Sequence, residues 1–345
     1  MKYSASQKTG TLMSAVQRKK VQWLWFGRMP LGKITVLDGD PGLGKSVLTL
    51  DIAARVSTGR EMPDGTPGVQ GGVVLLSAED DMGDTVRPRL EEAGANLERI
   101  VDISFTEPHL GKLLSIPLDM KEIENAILRV KAKLVVIDPI FAFLGDVDTN
   151  KDTSVRTALA QLAKLAERRG VAVILVRHLN KGEQTTKAIY RGSGSIALVG
   201  LARSGLLVAK SKNSDKMVLA STKCNLAPPP ESLYYTLESL GDVPQVWWHG
   251  AANEDADQLI TANIVRESQP TKVDQAETFI ACELLPGPMP SATLEKRASE
   301  AGIADKTYQR AKERLGVKSE QKDGYWVSSL PPRPSSTQPD SQVVR

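Results

Sequence analysis

Eight consecutive residues, Gly39-Asp40-Pro41-Gly42-Leu43-Gly44-Lys45-Ser46, match the spacing GxxxxGK[ST] completely. Glycines at these positions let backbone N–H groups wrap an anion, and a helix starting at the end of the loop adds partial positive charge. The lysine of such a loop reaches terminal phosphates, and its hydroxyl residue ligates magnesium. Gly39 to Ser46, with Val47 next in the chain, are therefore the expected binding residues for ATP, and Ser46 is an expected ligand of Mg2+. The bland alternative, a glycine-rich turn, leaves the context unexplained. An apolar strand-like run, Lys33–Asp38, precedes the loop, and a helix candidate, Ser46–Thr58, follows it.

Carboxylates stand where such a loop needs them. Leu134-Val135-Val136-Ile137-Asp138 is an apolar run closed by an acid, and at the carboxyl edge of a parallel sheet that acid can hold magnesium through water. Pro139 follows, so the general base must come from another strand. Val73–Ser77 delivers Ala78-Glu79-Asp80-Asp81, with Glu79 the expected base and Asp80 either a ligand or a bystander. A solvated acidic loop is the competing reading. His178 closes a further apolar run, Val171–Arg177, where it could sense a γ-phosphate or serve only as a structural histidine. Arg191, Arg203, Lys210 and Lys223 lie later in the same region, and an arginine given across a subunit boundary would stabilise transition-state charge.

The elements that must carry these residues alternate. Strand-like runs Lys33–Asp38, Val73–Ser77, Val101–Phe105, Leu134–Asp138, Val171–Arg177 and Gly205–Lys210 are separated by helix candidates Asp84–Ala93, Met120–Val130 and Ser154–Arg168. Runs apolar on both faces, interleaved with helices, predict an α/β fold with a mostly parallel sheet. Met217–Thr222, Leu233–Glu238 and Val246–Trp248 follow at short spacing and predict an antiparallel extension. The expected organisation is an extension over 1–20, a nucleotide-binding core over 21–249, a linker over 250–271, a small domain over 272–330 and a disordered tail over 331–345.

Composition sets outer limits. The formal net charge is +3 over 345 residues, too small to demand a nucleic-acid partner by itself. Cys224 and Cys282 are the two cysteines, and they offer neither a disulfide framework nor a zinc module. The first twenty residues have no apolar run of the kind that directs secretion, and no apolar run is long enough to span a bilayer. A cytoplasmic protein without a membrane partner is the expectation.

Taken in order, the Gly39–Ser46 loop, Ala78-Glu79-Asp80, Val135–Asp138, Val176-Arg177-His178-Leu179-Asn180-Lys181 and Arg191-Gly192-Ser193-Gly194-Ser195 resemble the RecA/KaiC/DnaB-type ATPases. The chain looks most like the RepA-like hexameric helicases of plasmids and phages, over about Trp23 to Trp248. The resemblance implies a RecA-like fold in which Lys45 and Ser46 hold phosphate and magnesium, Glu79 activates water, Asp138 supports the metal and His178 senses the γ-phosphate. By the same likeness Arg203 matches an arginine finger acting in trans, and Lys223 a lysine donated across the same boundary. RadA-type relatives carry a four-cysteine zinc module and DnaB-type helicases a helical amino-terminal domain; neither pattern is found here, nor is a primase or protease pattern.

In rings of this kind the loops after the Asp138 and His178 strands line a channel for single-stranded DNA. Here they are Gly145–Thr153, with Lys151, and Asn180–Tyr190, with Lys181, Lys187 and then Arg191. Ordinary hydrophilic loops would read the same way. Near the carboxyl end, Ser291 is placed to cap a helix over Ala292–Ala301, Gly302 to turn the chain and Asp305–Leu315 to form a second helix. That second helix exposes Lys306, Gln309, Arg310 and Lys312 and is followed by Tyr325-Trp326-Val327, a pattern resembling a winged helix that would take duplex DNA or a protein. The leading expectation is a hexameric, ATP-driven helicase or translocase for replication of a mobile element. An ATPase that loads or regulates other proteins on DNA stands second. A small-molecule kinase is disfavoured, since it would need a lid and an acceptor pocket and Glu79 would be a poor choice for it. A DNA-binding adaptor using ATP only as a structural ligand is separated from a motor by Glu79→Gln, which an adaptor would tolerate.

Overall fold

Strands that are apolar on both faces must lie between two layers of helices. The computed structural model, which describes residues 11–107, 111–149, 151–179, 197–267, 272–322 and 324–331, has them there. Six strands run parallel: β1 (Ile34–Gly39), β2 (Gly72–Ser77), β3 (Ile100–Asp102), β4 (Ala132–Asp138), β5 (Ala172–His178) and β6 (Ser204–Lys210). β7 (Met217–Cys224), β8 (Ser232–Leu240) and β9 (Val243–Ala252) extend the sheet in antiparallel fashion. The order across the nine strands is β9-β8-β7-β6-β1-β5-β4-β2-β3, which puts β1 between β5 and β6. A mixed α/β sheet that is mostly parallel, with an antiparallel wing, is the arrangement expected of a RecA-like core.

Alternation along β1 sends Ile34 and Val36 to one layer and Leu37 to the other. The first layer holds α3 (Met120–Val130), α4 (Asp152–Arg169) and α5 (Ala197–Leu201). The second holds α1 (Lys45–Thr58) and α2 (Arg87–Glu92), with Leu48, Ile52 and Leu90 fully or nearly buried.

Three expectations change. The helix read over Asp84–Ala93 divides, because the Asp81 side chain accepts from the N–H groups of Gly83 and Asp84 at 2.7 and 3.0 Å and holds a wide turn over Met82–Val86. The strand read over Val101–Phe105 ends at Asp102, which accepts from Ser104, so that Phe105–Glu107 pairs with Lys112–Leu113 instead. The polar stretch read as a linker over 250–271 carries the end of β9 and then α6 (Ala256–Glu267), capped by Asp255 and burying Leu259 and Ile260.

The chain divides into two compact units at Asn263 and Ile264. In the second, α7 (Lys272–Leu284), α8 (Ser291–Glu300) and α9 (Asp305–Arg314) enclose Ala276, Ile280, Leu294, Ala298 and Tyr308. β10 (Met289–Pro290), β11 (Lys318–Lys322) and β12 (Tyr325–Ser329) form a small sheet in the order β10-β12-β11. Ser291 does not cap α8. It is the first helical residue, and its hydroxyl lies 2.8 Å from that of Ser328, tying the helix to the sheet.

The antiparallel wing grips the glycine loop of the first unit. Buried Tyr235 of β8 donates its hydroxyl to the Leu43 carbonyl at 2.9 Å, and Trp248 of β9 donates to Asp51 of α1 at 2.9 Å. Tyr235→Phe strips a buried carbonyl of its donor at a cost of about 1–2 kcal/mol. The melting temperature should fall by several degrees and nucleotide affinity should weaken; melting and binding both unchanged would show that the loop does not depend on this clamp.

Candidate nucleotide site

β1 releases the chain into the loop at the carboxyl edge of the sheet, and α1 takes it up again at Lys45. Gly44 has φ of +76°, and a Cβ there would stand 2.4 Å from a methyl carbon of Leu237 on β8. Only glycine meets both conditions. Lys45 is 5% exposed, and its ammonium donates to the carbonyls of Gly39 at 2.8 Å and Asp40 at 2.9 Å. A third contact, 3.1 Å, runs to Nδ1 of His178. Burial lowers the Lys45 pKa, with nearby Asp138 the strongest opposing influence.

Strand register brings the other groups in. Gly39 lies opposite His178 across β1 and β5, and Ser77 lies opposite Asp138 across β2 and β4. Two residues past Ser77, Glu79 is 63% exposed at its side chain and sits with Oε1 3.9 Å from His178 Nε2. Its neighbours are committed elsewhere: Asp80 accepts from Arg89 at 2.7 Å, and Asp81 holds the turn after β2. Within this acidic run Glu79 is thus the carboxylate left facing His178. Burial and the Lys45 charge lower the His178 pKa, which keeps the ring neutral at pH 7 and its Nδ1 able to accept from Lys45.

Ser46 hydrogen-bonds to Asp138, whose pKa is pushed up to about 6, first by burial and then by the repulsion of Glu79 and Asp80. A cavity of about 20 Å³ beside Ser46, Ser77, Asp80 and Asp138 has room for one water or small ion. Hydroxyl and carboxylate oxygens, with excess negative charge around them, suit Mg2+. Among the described residues no three His, Cys, Asp or Glu side chains gather to hold a metal unaided. A magnesium ion that keeps waters and takes phosphate oxygens needs only the pair present here.

A second cleft, of about 170 Å³, was not legible in the sequence. Val47, Arg89, Glu92, Gln245 and Trp247 are among its walls. It adjoins the loop, because Val246 in its wall is the register partner of Leu237, the residue packed against Gly44. That volume is below the roughly 300–1,000 Å³ that takes a whole ligand, and Asp51, Arg55 and, past the end of α1, Arg60 carry the cleft away from the loop. Gln245 donates to Glu92 at 2.9 Å across 153 positions of sequence, a separation no local pattern could reveal.

Arg203 and Lys223 are not at this site. Ser204 pairs with Thr35 at the start of β1, whereas Val208 pairs with Gly39 at its end. Arg203 therefore lies at the opposite edge of the sheet, about 17 Å away along the strand. Lys223, on β7, donates to the Val199 carbonyl at 2.6 Å, and burial and then Arg203 lower its pKa. Lys151, read as a channel residue, pairs with Asp148 at 3.4 Å. Residues 180–196, with Lys181, Lys187 and Arg191, and residues 332–345 lie outside the described residues.

A family model described as AAA domain matches residues 6–184 of this chain. The DNA repair protein RadA of Bacillus subtilis is 27% identical over 158 residues, which cover 45% of this chain and 30% of that protein. The DNA repair protein RadA of Mycobacterium tuberculosis is 30% identical over 154 residues, covering 44% and 28%. The chain thus spans less than a third of the length of these relatives. A KaiC-like protein of Pyrococcus horikoshii OT3 superposes with a TM-score of 0.43 and 16% identity, covering 67% of this chain and 99% of that one.

The raised pKa of Asp138 has a thermodynamic sign. Without metal the folded chain binds a proton here that the unfolded chain releases, so stability falls as pH rises from about 4 to about 6, where the Asp138 pKa lies. The loss is on the order of 3 kcal/mol and is complete above that window. Asp138→Asn should therefore melt higher than the parent at pH 7.5 without magnesium, with the difference vanishing near pH 4. Equal melting at both pH values would remove the electrostatic account of this residue.

Proposed function

This chain belongs to the AAA domain family, among the RecA-like P-loop ATPases, and on that premise we propose that it binds and hydrolyses ATP and uses the energy as a ring-forming motor on DNA. The reading is that of a hexameric helicase or translocase for a mobile element. The observation that carries it is the meeting of Lys45, Ser46, Glu79, Asp138 and His178 at one sheet edge around a glycine loop. The name shared by the RadA relatives supports DNA as the object of the work.

Lys45 exchanges its two carbonyls and His178 for the terminal phosphates, while the loop N–H groups hold the remaining oxygens. Ser46 and, through water, Asp138 would hold Mg2+, which when bound would offset phosphate charge. Glu79 is exposed enough to meet a water and takes its proton as the water attacks. His178, neutral and close to Glu79, can donate a hydrogen bond from Nε2 when the γ-phosphate is present.

Arg203 and Lys223 complete the site in a second copy. They sit together at the far edge, and among the described residues neither forms an ion pair, which fits a pair that meets the polyphosphate of a neighbouring subunit. The second unit has the order helix, strand, helix, helix, strand, strand, and this supports a winged helix. Exposed Lys306, Gln309 and Arg310 on α9 suit duplex DNA. One observation favours the loader reading as an alternative. Residues 272–331 hold nine Lys or Arg and nine Asp or Glu, a balance that also suits a protein partner.

Three measurements bear on the proposal. Steady-state ATP hydrolysis should rise with single-stranded DNA and vanish in Glu79→Gln; turnover indifferent to DNA would favour the loader. Arg203→Ala should retain ATP binding yet lose turnover by about a thousandfold, and mixing it with Glu79→Gln should restore part of the activity at hybrid interfaces. No recovery, or full activity of Arg203→Ala alone, would remove the trans assignment. Lys306→Ala with Arg310→Ala should weaken duplex binding and lower its salt slope by about two; unchanged binding would turn the second unit over to a protein partner.

A further inference from the structure

On the sheet face away from α1, Asp38 of β1 and Arg177 of β5 form a two-point ion pair that the reaction above does not use. Arg177 Nη2 lies 3.1 Å from Oδ2, and Nε also donates to Oδ1. Arg177 is 1% exposed and Asp38 is 2% exposed. Burial pushes the Asp38 pKa up and the Arg177 charge opposes it.

A charged pair is an expensive way to fill a core, since two apolar side chains would pack there without desolvating anything. The pair supplies registry instead. Ile34-Thr35-Val36-Leu37 runs beside Val173-Ile174-Leu175-Val176, and side chains this alike define register weakly. A slip of one position would strand a buried carboxylate and a buried guanidinium opposite apolar neighbours.

The next rung is the nucleotide site. Asp38 faces Arg177, and Gly39 then faces His178. Alternation turns the first two side chains toward the α3–α5 layer and His178 toward α1, where the Lys45 ammonium joins the Gly39 carbonyl to His178 Nδ1. We propose that Asp38 and Arg177 are positioning residues of the nucleotide site, fixing β1 against β5 so that Lys45 and His178 meet across the glycine loop. The effect on turnover rests on the ATPase reading; the effect on the His178 ring does not.

The test uses the full chain in three forms: parent, Asp38→Leu with Arg177→Met, and Arg177→Lys. The double variant removes both charges and keeps apolar bulk, so it should melt within a few degrees of the parent. The spectroscopic readout is the ring 15N shifts of His178, one of three histidines in the chain, assigned by a His178→Gln sample. The parent should show one tautomer, protonated at Nε2 because Nδ1 accepts from Lys45. The double variant should show exchange between both tautomers, with kcat lower by at least about tenfold and a smaller change in KM. Arg177→Lys, which keeps the buried charge on a single point of contact, should fall between the two in both readouts. An unchanged His178 signature in a folded double variant overturns the proposal whatever the melting temperature does. If the double variant does not fold, an unchanged signature in Arg177→Lys overturns it equally. A parent that does not hydrolyse ATP would sink the function proposed above and leave the ring signature to decide this one.

Discussion

The register of β1 between β5 and β6 is the constraint on which the site depends. A parallel sheet buried on both faces exposes its functional groups only where strands end, so everything that acts together must end at the same level. Gly39 and His178 are paired residues, as are Ser77 and Asp138, and Glu79 stands two positions beyond the second pair. Shift β5 by a residue and the Lys45 ammonium loses a partner at 3.1 Å, with Arg177 or Leu179 brought opposite Gly39 in place of His178. The chemistry is thus a property of strand pairing before it is a property of side chains.

Electrostatics at that edge are held out of balance. Asp138 holds the Ser46 hydroxyl within reach of the charges of Glu79 and Asp80, and Lys45 is turned back onto the carbonyls of its own loop. Asp80 pairs with Arg89, while burial first and then the charges of Glu79 and Asp80 push the Asp138 pKa up to about 6. A divalent cation and a polyphosphate relieve opposite halves of this arrangement, the ion satisfying the acids and the phosphates satisfying the lysine. That complementarity, together with room for little more than one small particle beside Ser46, makes the site fit for a metal–nucleotide pair better than for either part alone.

The local signals were legible in the sequence, and the non-local ones were not. The glycine loop, the acid closing β4 and the acidic run after β2 were readable because each needs only a short run of residues in a strand-to-loop context. Glu79 was the expected base from sequence, but what occupies Asp80 was not readable: its partner Arg89 lies nine positions on, across a turn that the periodicity had smoothed into one helix. The division between the two units falls inside the stretch read as a linker, but α6 was not legible there because its buried Leu259 and Ile260 stand in a polar sequence. Ser291 had the right residue type for a cap, but a hydroxyl partner on β12 claimed it. The cleft of Glu92 and Gln245 could not be read at all, since its walls come together only when β9 folds back over α1 and α2.

The two edges of the sheet are chemically unlike, and this bears on how many chains one reaction needs. At the carboxyl edge acids outnumber the cations turned toward them. At the amino edge Arg203 lies close enough to Lys223 to add to burial in lowering the Lys223 pKa. Like charges placed side by side are tolerated where water screens them or where an anion is expected. A single chain cannot bring its own edges together, because the rigid strands between them are packed on both faces. In the proposed ring two copies would meet edge to edge, and each boundary would gain the cations that one chain holds too far from its own glycine loop. If the proposed ring forms, the separation of about 17 Å along β1 would make hydrolysis report on assembly, because the cations that complete the transition-state shell would reach the phosphates only at an interface.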